Sequence, residues 1–139
     1  MEKKNSILVV DDDTSNLMEL VSILQPDYKI YAVKDGASAL DKANESLPDL
    51  ILLDVVMPDL NGFEVLTELK KSEKTKDIPV IFITGVNEKE SEREGLSIGA
   101  ADYIRKPFDA VVVKHRVQLQ IKIINLQREL DDVIRSANQ

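Results

Sequence analysis

The sequence predicts an α/β protein: a doubly wound, five-stranded parallel sheet with helices on both faces and a long helix at its end. Three observations predict it. Five short apolar runs alternate with longer segments of helical period. Three of those runs are apolar at every position, as strands buried on both faces are. The last segment, from Asp109 to about Ser136, contains neither Gly nor Pro.

The first strand is read at Ile7-Leu8-Val9-Val10, the third at Leu50-Ile51-Leu52-Leu53 and the fourth at Val80-Ile81-Phe82-Ile83. Tyr28 to Val33 and Ala101 to Ile104 are more mixed and give the second and fifth. Between them, Leu17, Leu20, Val21 and Leu24 share one helical face that Pro26 closes. Ala37, Leu40 and Ala43 mark a second helix after Asp35-Gly36. Phe63, Val65, Leu66 and Leu69 mark a third after Gly62. The fourth, about Glu88 to Ile98, is polar and is expected to pack weakly, with Gly99 as its stop. The last begins at Asp109, an N-cap by type. At about 28 residues it spans roughly 40 Å, about twice what a compact sheet can cover. Its far part carries Leu119, Ile123, Leu126, Leu130, Val133 and Ala137, spaced 4, 3, 4, 3, 4 as a heptad seam. Either this stripe folds back on its own domain or it pairs with another helix. A chain ending in such a helix is compatible with being a piece of a larger protein.

Composition narrows the chemistry. The 139 residues suffice for one domain with a real core. The net charge of −7 argues against a generally basic nucleic-acid binder. The charge is uneven: residues 1–108 hold 13 Lys and Arg against 21 Asp and Glu, whereas residues 109–139 hold 5 against 4. No cysteine means no disulfide, thiolate metal site or thiol nucleophile, and the single His115 excludes a multi-histidine metal site. No apolar run approaches the roughly 20 residues of a membrane helix. Nor does the start have a signal-peptide pattern, so a cytoplasmic protein is expected.

In open α/β sheets, sites form beyond the carboxyl ends of the strands. There the sequence has Asp11-Asp12-Asp13 after the first strand, Asp54 at the end of the third, Thr84-Gly85 after the fourth and Lys106-Pro107 after the fifth. Carboxylates gathered at one edge repel unless protonated or bridged by a cation. Oxygen ligands alone suit a hard ion: Mg²⁺, Mn²⁺ or Ca²⁺. Singly, each residue has a plainer reading. Asp11 to Asp13 could cap a helix, Thr84 could bond backbone, and Lys106 could be an ordinary ion pair. Asp54 is harder to explain away, because a carboxylate ending a fully apolar strand needs a partner.

The segments Ile7 to Asp12, Leu52 to Gly62 (Leu-Leu-Asp-Val-Val-Met-Pro-Asp-Leu-Asn-Gly), Pro79 to Gly85 and Gly99 to Phe108 resemble, in order and spacing, the receiver domain of bacterial two-component response regulators of the chemotaxis-regulator type. The resemblance covers about residues 5–120. It implies a flavodoxin-like strand order 2-1-3-4-5, with residues 1–118 as receiver and 119–139 as a coiled-coil connector. It implies that Asp54 accepts a phosphoryl group, and that Asp11, Asp12, Asp54 and the Val56 backbone carbonyl hold Mg²⁺, with Mn²⁺ as a substitute. Thr84 would turn toward the phosphoryl group and Lys106 would pair with it. Tyr103 would change rotamer with Thr84, and the bond before Pro107 would be cis. The implied partner is a sensor histidine kinase or phosphotransfer protein, and the protein would be a switch rather than an enzyme. The face made by the fourth helix, fifth strand and fifth helix would change on phosphorylation. A homodimer through the last helix is expected, with no direct nucleic-acid or membrane contact. Arg116-Val117-Gln118-Leu119 and the seam resemble linkers to cyclic-di-GMP-handling or histidine-kinase modules.

Two family positions, here Val56 and Val86, are aliphatic and cannot orient an attacking water, so a long-lived phosphoryl group is expected. Asp13 reads as a helix cap, Asp59 as a solvated loop residue and His115 as a surface or packing residue. Two other functions compete. One is a degenerate receiver used only for docking. The other is a haloacid-dehalogenase-type phosphatase with Asp11 as nucleophile. The second lacks its later acidic motif, since Arg105-Lys106-Pro107 stands there.

Overall fold

The computed structural model describes residues 4–85 and 89–139. Five strands and five helices alternate: β1 (Ser6–Val10), α1 (Thr14–Leu24), β2 (Lys29–Val33), α2 (Gly36–Ser46), β3 (Leu50–Asp54), α3 (Gly62–Lys71), β4 (Val80–Thr84), α4 (Lys89–Ser97), β5 (Asp102–Arg105) and α5 (Ala110–Ala137). The sheet is parallel throughout, in the order β2-β1-β3-β4-β5. The fold class read from the sequence and the strand order implied by the resemblance both hold.

Side chains on a strand alternate between faces, and here each face has its own core. Ile7, Val9, Leu50, Leu52, Ile81, Ile83 and Ile104 meet Leu17, Leu20 and Leu24 of α1 and Val113, Val117, Ile121 and Ile124 of α5. Leu8, Val10, Ile51, Leu53, Val80 and Phe82 meet α2 and α3 through Ala39, Ala43, Val65, Leu66 and Leu69. This is why β1, β3 and β4 read as unbroken apolar runs. β2 is an edge strand and only half buried, which explains its mixed composition.

Local chemistry sets the helix starts. Asp13, Asp35, Asn61 and Asp109 are N-caps whose side chains accept amide hydrogen bonds in the first turn. Asn61 and Glu64 form a reciprocal capping box. Asp13 is thus the cap expected of it, and His115 is exposed. Asp59 is an exposed loop residue, as expected, but its carboxylate is engaged. Its carboxylate accepts from the amides of Gly36 and Ala37, both at 3.0 Å, and fastens the β3–α3 loop to the start of α2. Those amides hold its carboxyl below the usual range. An acid 22 or 23 residues from its partners has no local signature.

α4 is polar, as expected, and Leu96 near its end and Ile98 just past it are exposed. Two contacts tie it to the sheet. Glu92 is buried and ion-paired to Arg105. Gly95 lies so close to Phe82 that a Cβ there would sit 2.3 Å from the ring.

α5 runs 28 residues. Its body-facing side buries Val113, Val117, Gln120, Ile121 and Ile124. Asn125 then bonds Asn5, and Arg128 pairs with Asp49 at 2.6 Å. Leu119, Ile123, Leu126, Leu130 and Val133 lie on the other side and stay exposed.

Gly62 packs against backbone. A Cβ there would lie 2.7 Å from the Asp54 carbonyl oxygen and 2.9 Å from Val55 Cα. Gly62→Ala is expected to destabilise by about 1–3 kcal/mol. Denaturant titration, compared with an alanine substitution on the exposed seam, checks it.

Candidate functional site

Sheet register assembles the site. Val10 pairs with Leu53, so the next residues, Asp11 and Asp54, stand side by side. Asp54 pairs with Ile83, and Thr84 with Arg105, which brings Thr84 and Lys106 to the same edge. Asp11 is fully buried and Asp54 is 4% exposed, whereas Asp12 is exposed. One ligand oxygen from each of Asp11, Asp12 and Asp54 lies within 4.8 Å of the others.

The lysine expected at the edge reaches both buried acids. Lys106 Nζ lies 3.3 Å from Asp11 Oδ2 and 3.4 Å from Asp54 Oδ2. The Lys106–Pro107 bond is cis, as expected. Asp11 Oδ1 accepts from the Asp13 amide at 2.9 Å, and Asp54 Oδ1 from the Val56 amide at 3.3 Å. Asp11 Oδ2 touches the lysine charge but has no well-aligned hydrogen bond. A fully buried carboxylate oxygen in that condition is costly. Beside two further carboxylates, it is the donor set a hard divalent cation needs.

Electrostatics agree. Burial, then the neighbouring Asp11 charge, push the Asp54 carboxyl up to about 7, against the pull of Lys106 and the Val56 amide. For Lys106, burial favours the neutral form, but Asp54 and Asp11 outweigh it and the ammonium is held more tightly than usual. One cation is shared by two buried acids, and the edge is short of positive charge.

The residues expected to act as a switch are Thr84 and Tyr103. Thr84 is buried, and its hydroxyl donates to Glu92 Oε2 at 3.1 Å. Arg105 grips the same carboxylate in a fork, Nε to Oε2 at 2.8 Å and Nη2 to Oε1 at 2.9 Å. Tyr103 is half-buried, with the guanidiniums of Arg105 and Arg116 at 5.3 and 5.2 Å from its ring centre. Arg116 also pairs with Asp102 at 2.7 Å. The Val56 side chain is 61% exposed beside Asp54, while Val86 lies outside the described residues.

Sequence reasoning placed the carboxylates, Thr84 and Lys106 at this edge, and the family resemblance added Tyr103. It missed Glu92, because one acid in a helix rich in acids carries no signal of burial. Its partner is 13 residues away, beyond any helical spacing.

Comparison with known proteins decides the family. Residues 7–118 match the response regulator receiver domain. The chain belongs to the response regulator receiver family. It is 42% identical over 113 residues to response regulator PleD of Caulobacter vibrioides, covering 81% of this chain and 25% of that protein. It is 36% identical over 121 residues to the phosphate regulon transcriptional regulatory protein PhoB of Escherichia coli, covering 86% and 52%. It therefore spans between a quarter and a half of these relatives. Among solved structures, the chemotaxis response regulator CheY4 of Vibrio cholerae superposes with a TM-score of 0.79 at 29% identity, covering 85% of this chain and 99% of that one. The receiver domain of NtrX from Brucella abortus gives 0.79 at 30% identity, covering 84% and 98%. A receiver is a regulatory domain of phosphorylation-dependent signalling, and receivers bind Mg²⁺ through acidic residues. No helix among the described residues is long and apolar enough to cross a membrane.

The Asp54 carboxyl fixes a pH dependence. Its folded value, about 7, exceeds its ordinary 3.8, so the folded state binds the proton more tightly. In chelator its contribution to stability is present below pH about 4 and is lost as pH rises toward about 7. Asp54→Asn is expected to remove that slope and to raise stability at pH 8 by on the order of 2 kcal/mol. Adding Mg²⁺ to the parent protein is expected to flatten the slope too. Thermal melts across pH, with and without Mg²⁺, measure both effects.

Proposed function

We propose that this receiver is a phosphorylation-controlled switch in which Asp54 is the acceptor. Its donor is a sensor histidine kinase, a phosphotransfer protein or a small acyl phosphate. The observation that carries the reading is the pairing of a buried strand-end carboxylate, Asp54, with a second buried acid and one shared ammonium, Lys106.

An Asp54 carboxylate oxygen attacks phosphorus in line. The bond from phosphorus to the donor breaks, and the donor leaves with the electron pair. Lys106 is held protonated and lies against the acceptor, where it can neutralise oxygens of the incoming group. Asp11, Asp12, Asp54 and the Val56 carbonyl would hold Mg²⁺, with Mn²⁺ as a substitute. Such an ion supplies the positive charge that lets the acids ionise together. The phosphorylated side chain carries nearly two negative charges and additional acceptor oxygens. Thr84 and Lys106 follow those oxygens, Tyr103 repacks, and the α4–β5–α5 face and the long helix change. The protein promotes only its own phosphorylation and is not an enzyme in the turnover sense.

The seam of α5 gives a second part of the reading. Residues 119–139 act as a coiled-coil connector, and the protein pairs with a second copy through residues 117–137, helped by the α4–β5 face. The partners are proteins in the cytoplasm. The acidic body, with 13 basic against 21 acidic residues over 1–108, does not attract nucleic acid directly.

The expected outcomes are specific. With Mg²⁺ and acetyl phosphate, intact mass rises by one phosphoryl group, located on Asp54, and Asp54→Asn gains nothing. A docking-only receiver would label nowhere, and a phosphatase would label Asp11 and turn over. Val56→Asn is expected to shorten the phosphoryl half-life, because an amide can orient water where valine cannot; an unchanged decay rate would count against that role. Sedimentation is expected to show a dimer that Leu126→Asp disrupts. A monomer in both phosphorylation states would remove the seam from the proposal.

A further inference from the structure

The Thr84 hydroxyl has one proton, and in this structure Glu92 holds it. The hydrogen bond is 3.1 Å long and buried. The accepting carboxylate is only 8% exposed, so water does not readily take the place of either partner. Glu92 cannot turn with Thr84, because Arg105 grips both of its oxygens at 2.8 and 2.9 Å. The acceptor is therefore charged, fixed in direction and aimed at the strand end from α4. A hydrogen bond to such an acceptor is stronger than one between neutral groups.

We infer that Glu92 is a positioning residue for phosphorylation of this domain: its buried carboxylate holds Thr84 in reserve and competes with the phosphoryl group on Asp54 for the same hydroxyl proton. The inference rests on Asp54 being the acceptor. When Thr84 donates to a phosphoryl oxygen, the proton stays on Oγ1 and only its acceptor changes. Glu92 then retains Arg105 and loses Thr84. Arg105 is also one of the two guanidiniums packed on Tyr103. The departure of the hydroxyl is thus felt at Tyr103 through an ion pair, in addition to any room Thr84 vacates. Glu92 sets how far the unphosphorylated state is favoured without touching the reacting atoms.

The test uses the whole chain with Mg²⁺ and beryllium fluoride, a tetrahedral phosphoryl analogue. Glu92→Ala is expected to bind the analogue about tenfold more tightly than the parent, since Thr84 no longer leaves a charged partner. In a Thr84→Val background, with no proton to contest, the same substitution is expected to change affinity by less than about twofold. A residue that merely shaped α4 would give the same effect in both backgrounds. Glu92→Gln keeps an uncharged acceptor, so its expected gain is a few-fold. It carries the test alone should Glu92→Ala fail to melt cooperatively. Equal affinity in parent and folded Glu92 variants, or an undiminished gain without the Thr84 hydroxyl, overturns the inference while Asp54 as acceptor stands. Failure of the parent itself to bind the analogue overturns both.

Discussion

Two carboxylates of neighbouring parallel strands cannot both be ionised side by side in a buried edge without a cation, and this domain is organised around that constraint. Register forces the proximity: once Val10 faces Leu53, Asp11 and Asp54 must be neighbours. Burial by the helices on both faces removes the water that would screen them. What remains is an Asp54 carboxyl pushed above its ordinary range, one shared lysine and an oxygen of Asp11 without a hydrogen-bond donor. The same imbalance that destabilises the resting edge makes it receptive to a divalent ion. The proposed acceptor and the fold's electrostatic weak point are one residue, Asp54.

Legibility in the sequence followed how locally each feature is encoded. β1, β3 and β4 were plain because strands buried on both faces must be apolar at every position. β2 and β5 were weaker because they are edge strands whose outer positions meet solvent. The caps Asp13 and Asp109 were readable from residue type and place. The acids and the lysine at the strand ends were readable because in this architecture strand ends and sites coincide. Asp59 and Glu92 were not. Each is an acid among many, and what distinguishes it is a partner distant in sequence: the amides that open α2 for one, Arg105 and Thr84 for the other. Helical periodicity correctly marked α4 as polar. It could not tell that one of its polar residues faces inward, because a buried ion pair presents the same letters as a solvated one.

α5 shows how one helix can serve two neighbours. Its body-facing residues Val113, Val117, Ile121 and Ile124 complete the core on one side of the sheet. The heptad stripe from Leu119 to Val133 runs on the other side and stays exposed. The two stripes overlap in sequence between residues 119 and 124, so packing on the body and pairing elsewhere do not compete for the same side chains. The proposed pairing through the outer stripe would leave the core intact.

The fastenings of α5 have a mechanical consequence. Arg116 is tied to Asp102 at the start of β5, and Arg128 to Asp49 just before β3. From Arg116 to Arg128 is about 18 Å of helix, and from Arg128 to Ala137, the last residue of α5, about 14 Å. A rigid rod pinned at Arg128 would be a lever with arms of about 18 and 14 Å over that stretch. A sideways displacement of about 1 Å at Arg116 would return slightly less, in the opposite direction, at Ala137. Over that stretch the gain is reach rather than amplitude: a motion beside β5 would be carried past the edge of the sheet at which Asp49 lies.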